Sequence, residues 1–173
     1  MSLITEEQVV LDLTGADRHA ATRRLGERLV ASGRCTDLDA FLDDVRKREE
    51  TMATGLPGGI GIPHARSAAI TEPSLVFGRT DGIDWGAKDG PATLVFLIAA
   101  PEGGGDAHMQ MLPKLARALM KKDFKAALAE PPRRLVAIGT SEVEDDLLFG
   151  DEGHGGFLSE DRAIGSAFWG RVR

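Results

Sequence analysis

Hydrophobic and polar positions repeat with different periods along the chain, and each change of period marks an element. Val9-Val10-Leu11-Asp12-Leu13 is apolar and β-branched enough to predict a first strand. Ala21, Leu25 and Leu29 then fall on every fourth position, one apolar stripe of a helix. Thr14, with Asp17 three positions on, predicts its start as a variant capping box, and Gly33 predicts its end. Leu38, Phe41, Leu42 and Val45 make a second helical face at i, i+3, i+4 and i+7. Thr36, with Asp39 at the third position, predicts its cap, and the helix runs to about Glu49.

The helical period then gives way to glycine and proline. In Thr54-Gly55-Leu56-Pro57-Gly58-Gly59-Ile60-Gly61-Ile62-Pro63-His64, Gly55, Gly58 and Gly59 permit backbone angles that a side chain forbids. Ile60, Gly61 and Ile62 alternate over too short a span for a helix and predict a brief strand. Pro63 has no N–H to donate, so it ends that ladder and biases Ile62 toward extended backbone. His64 is therefore expected just past a strand end, beside a rigid neighbour. Strands follow near Leu75–Arg79 and Thr93–Ala99, with Asp81-Gly82 and Asp89-Gly90 as turn signals between them. The second run is apolar nearly throughout, as suits a central strand covered on both faces. After Pro101 comes a glycine loop expected to be mobile. Asp106 is a good N-cap, placing His108 in the first turn of a helix faced by Leu112, Leu115, Ala116 and Leu119. A short helix from Asp123 to Glu130, packing Phe124 and Leu128, stops at Pro131-Pro132. The pattern predicts an α/β fold: a mixed central sheet flanked by helices on both faces, a three-layer sandwich.

Composition narrows the function. A chain of 173 residues and 18.5 kDa suits one domain with a proper core. Its net charge of −6, with Lys and Arg spread along it, argues against nucleic-acid binding. The longest apolar run, Ala92 to Pro101, is far too short to span a bilayer. Met1 to Glu6 lacks a basic region followed by an apolar one, so no signal peptide is expected. Cys35 is the sole cysteine and cannot form an internal disulfide. These features make the cytoplasm the expected compartment and leave Cys35 a structural residue. His19, among Arg18, Arg23 and Arg24, reads as a solvated surface histidine.

The candidate chemistry lies at His64, Arg48-Glu49 and His108. Each has a plainer reading: a loop histidine that fills space, a cation suited to the negative end of a helix, and a histidine satisfied by local capping. A helix N-terminus also suits a phosphate near His108. Glu49 is placed either to hold Arg48 or to cap the following loop. A metal or hydrolytic site on His64, His108 and His154 is disfavoured, because the chain has no H-E-x-x-H and no close histidine pair. A nucleotide site is weaker still, since no G-K-[ST] follows the glycines.

Taken together, Arg48-Glu49, Thr54-Gly55, Gly59-Ile60-Gly61-Ile62-Pro63-His64 and His108-x-Gln110-x-Leu112 resemble one family. It is the fructose/mannitol-type enzyme IIA component of the bacterial sugar phosphotransferase system, with its nitrogen-regulatory branch. The resemblance covers residues 1–140; residues 141–173, with an acidic run and several glycines, form an atypical segment expected to be a solvated tail. It implies that His64 accepts a phosphoryl group from the phosphocarrier HPr and passes it to a cysteine of enzyme IIB. IIB in turn phosphorylates a sugar imported by the membrane component IIC. Arg48 and His108 would steady the phosphoryl oxygens, with Glu49, Thr54, Gly59, Gly61 and Pro63 in support. His64, having to meet two proteins in turn, is expected in a shallow site, and the family usually phosphorylates Nε2. The scheme asks for no cofactor and no metal. Gly82 to Gly90 and Ala99-Ala100-Pro101 look fructose-like rather than mannitol-like. A nitrogen-type enzyme IIA, which signals by phosphorylation-dependent protein binding, is the alternative.

Overall fold

The computed structural model describes residues 3–103, 111, 113, 115, 117–119 and 121–129. The chain divides after residue 110 into two units. The first holds β1 (Val9–Val10), α1 (Arg18–Ala31), α2 (Leu38–Thr51), β2 (Gly55–Leu56), β3 (Ile60–Gly61), β4 (His64–Ser67), β5 (Ser74–Ile83) and β6 (Ala92–Pro101). In the second, Met111, Pro113, Leu115, Arg117, Ala118 and Leu119 are helical, and α3 spans Lys122–Ala129. Leu115, Leu119 and Leu128 are buried there, as the sequence pattern predicts, and Met111 is buried with them. Asp106, His108, Leu112, Ala116 and the segment 141–173 lie outside the described residues. Among the described residues no helix is long and apolar enough to cross a membrane.

Six strands form one mixed sheet in the order β1-β5-β6-β3-β2, with β4 also on β6. β6 is its axis. It pairs antiparallel with β5 on one side, and parallel with both β3 and β4 on the other. From Leu94 to Ala100 its residues are buried on both faces, the environment its apolar run predicts. Val95, Leu97 and Ala99 join Val76 of β5, Leu25 and Leu29 of α1, and Phe41 and Val45 of α2 in one core. On the opposite face Phe77 and Phe96, paired across the two strands, set their ring centroids 5.1 Å apart. The expected mixed-sheet α/β class is the one observed.

Several boundaries differ from the pattern, each for a local reason. The first strand is only Val9–Val10; Leu13 is buried and ties back through its N–H to the Arg79 carbonyl at 2.8 Å. Asp17, not Thr14, caps α1, accepting from the Ala20 N–H at 2.9 Å. Thr14 instead offers its carbonyl to Arg24. Asp37, not Thr36, caps α2 through the Ala40 N–H. The Thr36 hydroxyl is engaged with the Ala69 carbonyl at 3.1 Å and is not available to a cap. Asp81-Gly82 is no turn between strands. β5 runs on to Ile83, and Gly82, at φ 136°, falls within an irregularity of the β5–β6 ladder between Arg79 and Ile83.

The glycine stretch folds as a hairpin that the alternation alone does not reveal. β2 and β3 pair antiparallel around Pro57-Gly58-Gly59, where Gly58 and Gly59 take φ values of 87° and 75°. Gly55 and Gly61 serve a different need. A Cβ on Gly61 would lie 2.7 Å from Trp85 Cδ2, and one on Gly55 would lie 2.5 Å from the Trp85 carbonyl oxygen. The hairpin therefore lies directly on Trp85, which is fully buried. Gly61→Ala is expected to destabilise the fold by about 1–3 kcal/mol through overpacking against this ring. Chemical denaturation followed by Trp85 fluorescence tests it; an unchanged midpoint would show that the ring yields freely.

Candidate functional site

His64 sits where the sheet changes partner strand. β3 pairs Gly61 with Val95, and β4 pairs His64 with Ile98, both on β6. Pro63 falls in the gap. It has no N–H to give, and its carbonyl still accepts from the Ile98 N–H at 3.0 Å. So His64 does not hang past a strand end, as the proline suggested: it opens a strand, with α2 packed against that strand. His64 is only 8% exposed, a narrower access than the shallow site expected from the sequence.

The imidazole is oriented by its own backbone neighbourhood. Nδ1 lies 2.8 Å from the Ile62 carbonyl oxygen. A carbonyl only accepts, so Nδ1 carries the proton and the lone pair of the neutral ring is on Nε2. Burial pushes the pKa of His64 below the ordinary imidazole value. The bond to Ile62 opposes that, the positive charge of Arg48 adds to it, and the negative charge of Glu49 opposes it. The balance keeps the ring neutral, hence nucleophilic, at neutral pH.

The last turn of α2 supplies the charges. Arg48 is half-buried and donates from Nη1 to the Met52 carbonyl at 3.3 Å, folding back over the helix end. Glu49 is 7% exposed, yet it does not clasp Arg48. Its Oε1 accepts from the Thr54 hydroxyl at 2.6 Å and from Trp85 Nε1 at 3.0 Å. Its Oε2 lies 3.8 Å from Arg18 Nε. Of the two roles open to Glu49 in the sequence, the structure shows the second: it fastens the loop that follows α2.

The remaining predicted residues serve as framework. The Gly59 carbonyl accepts from the N–H groups of Thr93 and Leu94, at 2.8 and 3.0 Å, fastening the hairpin tip to β6. Thr54 gives its hydroxyl to Glu49 and its carbonyl to the Ile62 N–H, at 3.0 Å. Gly61 leaves room for Trp85. His108 lies outside the described residues, as does His154. Sequence reasoning missed Trp85 and Arg18 as partners of Glu49, and Asp89, whose Oδ2 accepts from the Gly58 N–H at 2.6 Å. The one available signal was a tryptophan flanked by turn residues, a large ring with a donor that must find a partner once buried.

Because the folded pKa of His64 lies below its ordinary value, the unfolded chain binds its proton more readily. His64 thus withdraws stability from the fold as pH falls through the ordinary imidazole range, about 6.5. An NMR titration is expected to place the His64 midpoint below that value; a midpoint above it would mean that Glu49 and Ile62 outweigh burial.

The sequence and the fold both match known proteins. Residues 2–135 match the family model described as phosphoenolpyruvate-dependent sugar phosphotransferase system, EIIA 2. The chain is 40% identical over 126 residues to the PTS system fructose-specific EIIA component of Haloferax volcanii, covering 72% of this chain and 82% of that one. It is 34% identical to the fructose-specific EIIABC component of Bacillus subtilis over 74% of its length, spanning only 20% of that longer protein. Among solved structures, the nitrogen regulatory protein IIA-Ntr of Neisseria meningitidis superposes with a TM-score of 0.68 at 26% identity, covering 76% of this chain and 92% of that one. Mannitol enzyme IIA of Escherichia coli, in its complex with phosphorylated enzyme IIB, shares the fold at a TM-score of 0.65 and 24% identity, covering 86% of this chain and 98% of that one. The match over residues 2–135, with the 40% identical relative, shows that the chain belongs to the EIIA 2 family of the phosphoenolpyruvate-dependent sugar phosphotransferase system.

Proposed function

We propose that the protein is a phosphocarrier that takes a phosphoryl group on His64 from phospho-HPr and passes it to a cysteine of enzyme IIB, for uptake and phosphorylation of a sugar, fructose. The observation that carries this reading is the placement of His64: it is buried, with Nδ1 2.8 Å from the Ile62 carbonyl oxygen, a contact that assigns the proton to Nδ1 and the lone pair to Nε2. In the first step the Nε2 lone pair forms a bond to phosphorus as the bond from phosphorus to the donor breaks. In the second the cysteine sulfur attacks the same phosphorus and the imidazole leaves with its lone pair restored. The group in flight carries concentrated negative charge and needs positioning more than proton chemistry. Arg48, turned over the end of α2, supplies a cation for it, and His108 is proposed as a second donor. The fructose-specific relative from Haloferax volcanii supports the choice of sugar.

A second reading is favoured by one finding. The likeness to IIA-Ntr of Neisseria meningitidis suits a regulator that keeps the same phosphohistidine and signals by binding other proteins. Adding IIB to the phosphorylated chain separates the two, since only a transport component discharges to it.

Incubation with enzyme I, HPr and phosphoenolpyruvate, read by intact mass, is expected to add one acid-labile phosphate. His64→Ala should abolish it. Arg48→Ala and His108→Ala should each slow it by about a hundredfold while remaining folded. Full phosphorylation of His64→Ala would sink the assignment of the acceptor.

A further inference from the structure

Ile62 lies in the gap between two paired segments, and its backbone is held there by a loop and a side chain. Its N–H donates to the Thr54 carbonyl at 3.0 Å, and its carbonyl accepts from His64 Nδ1 at 2.8 Å. Thr54 is fixed in turn by its hydroxyl, which donates to Glu49 Oε1 at 2.6 Å. Trp85 Nε1 donates to that same oxygen at 3.0 Å, so one carboxylate atom joins the loop to the residue beneath the hairpin. Thr54 and Glu49 are 6% and 7% exposed, so bulk solvent scarcely reaches either partner. Gly55, the next residue, abuts the Trp85 and Ala87 backbone, which leaves the segment little room to settle elsewhere.

We propose that Thr54 and Glu49 are positioning residues for His64: the hydrogen-bonded run from the Glu49 carboxylate through Thr54 and Ile62 to the imidazole determines which ring nitrogen carries the proton. The two neutral tautomers of an imidazole differ little in energy until a neighbour chooses between them. Here the neighbour is the Ile62 carbonyl, and its aim depends on where Thr54 holds the Ile62 N–H. With the Thr54 hydroxyl gone, one donor to Glu49 is lost and the loop loses its fixed point. Ile62 then tilts, and part of the population carries its proton on Nε2. Those molecules present an N–H where a lone pair is needed. For its effect on rate the proposal rests on His64 being the phosphoryl acceptor; for its effect on the tautomer it does not. Glu49 acts through Thr54 and Ile62, never on the reacting atoms.

Two readouts on the full chain test this. Nitrogen-15 NMR of the histidine ring, taken alkaline of its titration, reports the tautomer. Phosphorylation from enzyme I, HPr and phosphoenolpyruvate reports the rate. The wild type is expected to show His64 as the Nδ1–H form alone. Thr54→Val should bring the two tautomers to about equal populations and, since only the Nδ1–H form reacts, slow phosphorylation by about twofold. Thr54→Ser, which restores the hydroxyl, should return both to wild-type values. If Thr54→Val does not fold, Glu49→Gln carries the test. Its amide oxygen is a weaker acceptor, so a smaller change of the same sign is required in both readouts. A folded Thr54→Val with an unaltered tautomer overturns the proposal, whatever its rate. A wild type that is never phosphorylated would instead overturn the carrier reading, and the tautomer comparison would still decide this one.

Discussion

A single buried carboxylate oxygen holds the site together. Glu49 Oε1 receives the Thr54 hydroxyl and the Trp85 indole, and so fastens the end of α2, the loop into the hairpin and the residue under the hairpin to one point. A buried carboxylate is costly unless it is paired and hydrogen-bonded. The two donors, with Arg18 at 3.8 Å, meet that requirement. The cost also explains the specificity of the arrangement: a shift of any one partner would strand the charge. Arg48 is the preceding residue on the same helical turn, so fixing Glu49 fixes the backbone from which Arg48 reaches out.

Around that point the fold solves a second problem, presenting a nucleophilic ring without leaving it loose. β6 carries two parallel neighbours in succession, and Pro63 marks the change between them. The gap supplies a carbonyl, that of Ile62, with no place in the ladder. His64 uses it to park its proton. Burial lowers the affinity of the ring for a second proton, and the opposed charges of Arg48 and Glu49 set the balance from either side. The chemistry of the ring is thus an outcome of sheet topology as much as of its immediate neighbours.

Much of this was legible in the sequence, and the parts that were not share a cause. The helical stripes of α1 and α2 and the apolar run of β6 are periodic signals spread over many residues, and they place the elements correctly. Glycine and proline before His64 marked the site, because those residue types constrain backbone directly. Their detailed use was less visible. Gly55 and Gly61 look like Gly58 and Gly59 in sequence, but the first pair makes room for Trp85 while the second takes positive φ. The partnership of Glu49 with Trp85 joins positions far apart in the chain, and no local period encodes it. The caps went to Asp17 and Asp37 rather than Thr14 and Thr36 because tertiary partners claimed or displaced the threonines, as with the Ala69 carbonyl at Thr36.

The most direct test of the proposed carrier role is to ask whether His64 takes the phosphate, and on which atom. Phosphorylated protein with nitrogen-15 in its histidine rings, observed by phosphorus and nitrogen NMR, answers it. The account predicts the bond at Nε2, with the proton retained on Nδ1 toward the Ile62 carbonyl. Phosphate on Nδ1 would mean that the Ile62 contact breaks before transfer, and the orientation argued for His64 would be contradicted.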